Sequence, residues 1–149
     1  MQIAVIGSGA ERTSQAEEVG GLLAEHGCVV VCGGLGEVME AAARGAKAAG
    51  GTTVGVLPGL SPRDANEWID YAVATGTGHA RNLAVVASCE AAIAVGGRWG
   101  TAAEIAYARL LGRPVVVLGE GPAVGGEGIE HAESPEEAVR LALGLAAAP

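Results

Sequence analysis

The stretch Gln2-Ile3-Ala4-Val5-Ile6-Gly7-Ser8-Gly9, followed by Thr13-Ser14-Gln15-Ala16-Glu17, decides the fold. A short apolar run ends in a glycine turn, and the next residues carry helix-start chemistry, with Ser14 and Glu17 at capping-box spacing. The predicted helix places Val19, Leu22, Leu23 and His26 on one face and stops at Gly27. The unit then repeats: Cys28–Cys32 is a near-continuous apolar run, closed by Gly33-Gly34-Leu35-Gly36 ahead of an Ala-rich helix to about Ala49.

Further strands are expected at Thr53–Leu57, Tyr71–Thr75, Ala91–Val95 and Pro114–Leu118. Helices are expected at about His79–Ser88, Thr101–Leu111 and from Ser134-Pro135-Glu136-Glu137 onward, where a Ser N-cap precedes Pro at the first helical position. Two connections are long: Leu60–Ile69, and the glycine-rich Gly119–Gly128. This alternation predicts one α/β domain over residues 1–145 with a frayed tail at 146–149. The expected architecture is a Rossmann-like, doubly wound parallel sheet of about six strands in the order 3-2-1-4-5-6, with helices on both faces.

Composition agrees with a single core. The 149 residues are 50% hydrophobic, with no Phe, two Trp, two Tyr and 25 Gly. Such a core is built from Ala, Val, Leu and Ile, and allows close backbone packing. A net charge of −8 argues against a phosphate-tracking surface for nucleic acid. No apolar stretch reaches membrane-spanning length, and the chain opens on a strand without a basic leader, so the expectation is a soluble cytoplasmic protein. Cys28, Cys32 and Cys89 are read as buried free thiols, and no residues have metal-ligand spacing.

In such a sheet ligands bind beyond the carboxyl ends of the strands. The turns there contribute Gly7, Ser8 and Gly9; Gly33, Gly34 and Gly36; Gly76, Thr77 and Gly78; and Gly96, Gly97 and Gly100, each ahead of a helix whose free amides can face a phosphate. Arg12 stands where the dinucleotide fingerprint has Gly or Ala, and the second strand ends in Cys32-Gly33-Gly34 without an acidic residue, which excludes a conventional NAD site. No Gly-Lys-Ser/Thr exists either, so no P-loop. Arg12, Arg63, Arg81 and Arg98 fall at one rim and predict an electropositive mouth. Trp68 and Trp99 map to loops expected at the same edge, as candidates for stacking on a flat ring. Glu104 has two readings: with Thr101 it has capping-box spacing, and on the first turn of a helix its carboxylate can face a ligand.

The motif Gly96-Gly97-Arg98-Trp99-Gly100-Thr101-Ala102-Ala103-Glu104, with Arg81 lying 23 residues before Glu104, resembles the PGGxGTxxE signature and Arg/Glu pair of the LONELY GUY phosphoribohydrolases. Thr75–Asn82, Gly55-Val56-Leu57-Pro58-Gly59 and Asp64-Ala65-Asn66 look closer to a compact bacterial branch that includes molybdenum-cofactor carrier-like proteins. Val95 replaces the leading Pro of the signature, and Asn82 stands where plant-type enzymes carry Lys.

The resemblance implies a Rossmann-like fold and hydrolysis of the N-glycosidic bond of a nucleoside 5′-monophosphate, with Arg81 and Glu104 catalytic. Phosphate contacts would come from the turn residues together with Arg12, Asn82, Arg98 and Thr101. The alternative it implies is a non-catalytic carrier or sensor of the molybdenum cofactor, a pterin, or of a nucleotide. Neither reading requires a resident cofactor; the bound species would be a nucleotide, phosphate or molybdopterin-type ligand. The family also implies a homodimer or homotetramer.

Overall fold

A computed structural model describes residues 1–148; Pro149, the end of the expected tail, lies outside them. Seven strands alternate with five α-helices: β1 (Gln2–Ser8), α1 (Thr13–Glu25), β2 (Val29–Cys32), α2 (Val38–Ala48), β3 (Thr52–Leu57), β4 (Tyr71–Ala74), α3 (Arg81–Ala87), β5 (Ala91–Gly96), α4 (Trp99–Leu110), β6 (Val115–Leu118), β7 (Ile129–Ala132) and α5 (Pro135–Ala146). All neighbouring strands are parallel, in the order β4-β3-β2-β1-β5-β6-β7.

The Rossmann-like class is as expected, and two details of the sheet differ. A seventh strand, Ile129-Glu130-His131-Ala132, pairs with β6 as an edge; it is short and half polar, so its sequence carries little strand signal. The fourth strand lies outside β3, and β1 is flanked instead by β2 and β5. The connection from Pro58 to Asp70 holds only a single 3-10 turn at Pro62–Asp64, and it is tied down locally. Asn66 N–H donates to the Gly34 carbonyl at 2.9 Å, and the Asp70 carboxylate accepts from Thr53 N–H at 2.9 Å and Lys47 Nζ at 2.8 Å. A short tethered crossover delivers the chain to the adjacent position. The strand order therefore reverses between β1 and β5, which opens the ligand crevice there.

Period-two alternation sends β1 into two cores. Ile3 and Val5 join Val30, Ile93, Val95 and Leu118 against α1, α2 and α5. Ala4 and Ile6 join Val31, Ala92, Ala94 and Val117 against α3 and α4, through Val85, Val86, Ile105 and Ala108. Each buried Val, Leu or Ile contributes about 1.5–3 kcal/mol of transfer free energy. The capping-box spacing of Ser14 and Glu17 does not start α1, whose N-cap is Arg12 with no side-chain cap. Glu17 instead accepts from Arg44 of α2 at 2.9 Å, and that pairing lowers its pKa. At α5 the local signal holds: the Ser134 hydroxyl accepts from Glu137 N–H, and Pro135 opens the helix.

Candidate functional site

The site is assembled where the exits of β1, β2 and β5 meet the first turns of α3 and α4. At the β5 exit Gly97 has φ of +105°, and a Cβ there would fall 2.1 Å from Thr101 Oγ1, so the turn closes only with glycine. The helix that follows starts at Trp99, earlier than its sequence suggests, with Arg98 as N-cap and no side-chain cap. Thr101 and Glu104 therefore do not form a capping box, and Glu104 sits in the second turn. Its first intrahelical bond, Ala102 N–H to the Arg98 carbonyl at 2.9 Å, leaves the amides of Trp99, Gly100 and Thr101 without a helical acceptor.

Around that helix start lies an inner cavity of about 130 Å³. It brings together Gly7, Ser8, Gly33, Arg81, Asn82, Gly100, Thr101 and Glu104 from the predicted set; Val5, Ile6 and Met39, which sequence reasoning passed over as core, complete its wall. Glu104 is 7% exposed. Burial pushes its carboxyl up to about 7, against the opposing pull of the Arg81 guanidinium. Arg81 donates through Nη1 to Asn82 Oδ1, while its buried Nε has no hydrogen-bond partner among the described residues. An unpaired guanidinium N–H beside a partly protonated carboxyl is a site prepared for an acceptor-rich ligand.

Gly33 makes room for that guanidinium. A Cβ at Gly33 would lie 2.7 Å from Arg81 Nη2 and 2.5 Å from Met39 Sδ, and the backbone there is not in the left-handed region. Gly33→Ala is accordingly expected to fold normally but displace Arg81, weakening binding of a phosphorylated ligand by about tenfold, the usual worth of one charged hydrogen bond. Calorimetric titration beside a thermal melt checks this; unchanged affinity would separate Arg81 from the ligand.

An outer chamber of about 470 Å³ adjoins the first through Ser8 and is lined by Gly9, Ala10, Glu11, Glu37, Gly97 and Arg98. Glu37 was not legible as a site residue; the one available signal was its place directly after Gly33-Gly34-Leu35-Gly36. Gly96 shapes the neighbouring turn at φ of +61°, packed on the stem of Arg12.

The remaining predicted residues lie elsewhere. Arg12 reaches Gln15 Oε1 at 3.3 Å and Glu120 at 3.6 Å, and lines neither cavity. Gly34 anchors Asn66 through its carbonyl, and Gly36 is exposed with open space about it. The turn Gly76-Thr77-Gly78 spends its amides internally: Gly76 N–H on the Gly59 carbonyl, Gly78 N–H on the Pro58 carbonyl, and Thr77 N–H on Thr75 Oγ1. Trp99 is 89% exposed and flanks a separate groove of about 440 Å³ with Arg98, Ala102 and Pro122. Trp68 is not at the carboxyl edge: its carbonyl accepts from Thr53 Oγ1 in the first half of β3, because the connection doubles back along that strand. The three cysteines are free and buried, and burial pushes Cys32 to about 11 and Cys89 to about 12, which keeps both as thiols. Among the described residues no helix is long and apolar enough to cross a membrane.

Known proteins share this arrangement over nearly the whole chain. An uncharacterized protein of Archaeoglobus fulgidus is 47% identical over 146 residues, covering 96% of this chain and 95% of that one. The structure of the molybdenum cofactor binding protein from Rippkaea orientalis superposes with a TM-score of 0.88 at 32% identity, covering 97% of this chain and 96% of that one. The molybdenum cofactor carrier protein from Chlamydomonas reinhardtii gives a TM-score of 0.89 at 34% identity, covering 99% of each chain. The sequence matches the SLOG cluster4 family over residues 1–144, and the chain belongs to that family.

Proposed function

We propose that this protein binds and carries a phosphorylated pterin of the molybdenum-cofactor type without turning it over. The observation that carries the reading is the whole-length likeness to two proteins that bind or carry that cofactor. The cavity pair supplies chemistry suited to it: the amides of Gly100 and Thr101 at the start of α4 for a phosphate, Arg81 and Asn82 for further acceptors, and Glu104, half protonated near neutral pH, to donate or accept at a polar ring edge. The inner cavity alone is below the usual size of a small-molecule site, and only with the outer chamber does it reach the range of a nucleotide- or pterin-sized ligand.

Hydrolysis of a nucleoside 5′-monophosphate is the second reading, and one observation favours it: Arg81 and Glu104 line one cavity. An oxocarbenium-like transition state needs Glu104 ionised, so such an activity would rise as pH passes about 7. A homodimer or homotetramer also belongs to the proposal, with Tyr107, Leu110 and Leu111 at the exposed end of α4 as the face a second copy would cover.

The test is to produce the protein in cells that make the cofactor, purify it without oxygen, and measure molybdenum by mass spectrometry and pterin by fluorescence after oxidation. Bound pterin is expected, and Arg81→Ala is expected to lower its occupancy about tenfold. Release of free base from nucleoside monophosphates by a pterin-free protein would overturn the carrier reading.

A further inference from the structure

The glycine turn after β1 has an amide free to hold an anion, but this chain has already placed one there. Gly9 N–H donates to Glu37 Oε2 at 2.8 Å. Glu37 arrives from the neighbouring strand's exit as the N-cap of α2, and it holds φ of +55°, the only left-handed non-glycine backbone among the described residues. That conformation is sterically unfavourable for any residue with a Cβ, so the contact is maintained against a local penalty. A second carboxylate stands beside it: a Cβ on Gly9 would come within 2.7 Å of Glu11 Oε1. Arg98 is the single cation lining that outer chamber, whereas the inner cavity holds Arg81 beside free helix amides.

We propose that Glu37 is a specificity-determining residue that restricts the site to ligands carrying one phosphate. Its carboxylate is a built-in anion on the Gly9 amide. The inner cavity, at about 130 Å³, has room for one phosphate-sized group. A diphosphate or dinucleotide ligand would have to place its second phosphate in the outer chamber, displacing Glu37 or lying against both Glu37 and Glu11, and like charges at that range are strongly unfavourable. The inference rests on reading the two cavities as a phosphate-ligand site, and it names the class that site accepts: phosphate monoesters, with diphosphates refused.

AMP and ADP are the probes, titrated calorimetrically into the wild-type protein, Glu37→Gln and Glu37→Gly. The wild type is expected to bind AMP at least about tenfold tighter than ADP. Both variants are expected to gain about tenfold for ADP while AMP changes less than about twofold, and only in the variants should ADP move the Gly9 amide resonance. Glu37→Gly relieves the backbone penalty and keeps the test independent of folding. Should the AMP-to-ADP ratio be the same in all three proteins, the role of Glu37 is overturned while the phosphate site stands. Should neither nucleotide, nor inorganic phosphate and pyrophosphate as a second pair, bind any of them, the site reading and this inference fall together.

Discussion

Glu104→Gln is expected to stabilise the protein in a pH-dependent way, by nothing measurable at pH 4 and by about 3 kcal/mol at pH 8. The cause is the location of the carboxyl in the second turn of α4, where burial lifts it from 4.5 to about 7 and Arg81 offsets only part of the rise. A folded-state pKa above the unfolded value means that the native protein keeps a proton the unfolded chain has released. Wild-type stability therefore falls as pH climbs from about 4.5 through about 7, and the loss is complete above that window. Glutamine is neutral throughout, matches the carboxyl in shape, and escapes the loss. Urea unfolding from pH 4 to pH 8 reads the difference. A variant less stable than wild type at pH 8 would show that Glu104 is held by interactions that need its charge. Ligand binding should move the opposite way: the glutamine variant is expected to load less, since it can neither ionise nor share a proton. Gain in stability with loss of binding is the pattern of a group kept for function at a structural cost.

How much of this was legible depended on whether the decisive interaction was local. The strand-turn-helix units from Gln2 to Leu118 were readable because burial on both faces makes each strand a short apolar run, and the Ser134-Pro135 start of α5 depends on neighbours in sequence. The inner cavity was readable for a related reason: Gly7, Gly33, Arg81, Thr101 and Glu104 all lie at strand exits or first helical turns, and a parallel sheet gathers those at one edge. Non-local competition decided what was missed. The spacing of Thr101 and Glu104 permits a cap, yet the helix starts earlier, at Trp99, and buries both. The glycines of Gly76-Thr77-Gly78 look like those of an anion-binding turn, but where their amides go depends on Pro58 and Gly59, which only the placing of β4 beside β3 brings near. Trp68 was assigned to the wrong edge because the sequence shows that its loop is long without showing that it doubles back to Thr53. Glu37 carries no motif at all, and its meaning comes from the 2.8 Å bond to a glycine on another strand exit.

The other large effect separates glycines that share a helix environment in sequence and nothing else. In α2 a Cβ at Gly45 would fall 1.8 Å from the Glu17 carbonyl oxygen of α1, and in α1 a Cβ at Gly20 would fall 2.0 Å from the Ala42 carbonyl oxygen of α2. The two helices meet backbone to backbone, which is how a chain without Phe packs its helices closely. The obstructing atoms are main chain and cannot turn aside, so Gly45→Ala must push the helices apart and loosen Val19, Ala42 and Ala46 in the shared core. Overpacking of this kind costs about 1–3 kcal/mol and more when backbone must move, which outweighs the gain of up to about 1 kcal/mol from alanine's better helix propensity. A net loss of about 2 kcal/mol is expected, lowering Tm by about 4–8 °C. Gly144 of α5 is the control: it is exposed, and a Cβ there meets nothing within 4 Å. Gly144→Ala collects the propensity term alone and should raise stability by up to about 1 kcal/mol. Paired thermal and urea melts of the two variants check the opposite signs. If Gly45→Ala were as stable as wild type, α1 and α2 could not be in backbone contact, and the close packing inferred from the aromatic-poor composition would be wrong.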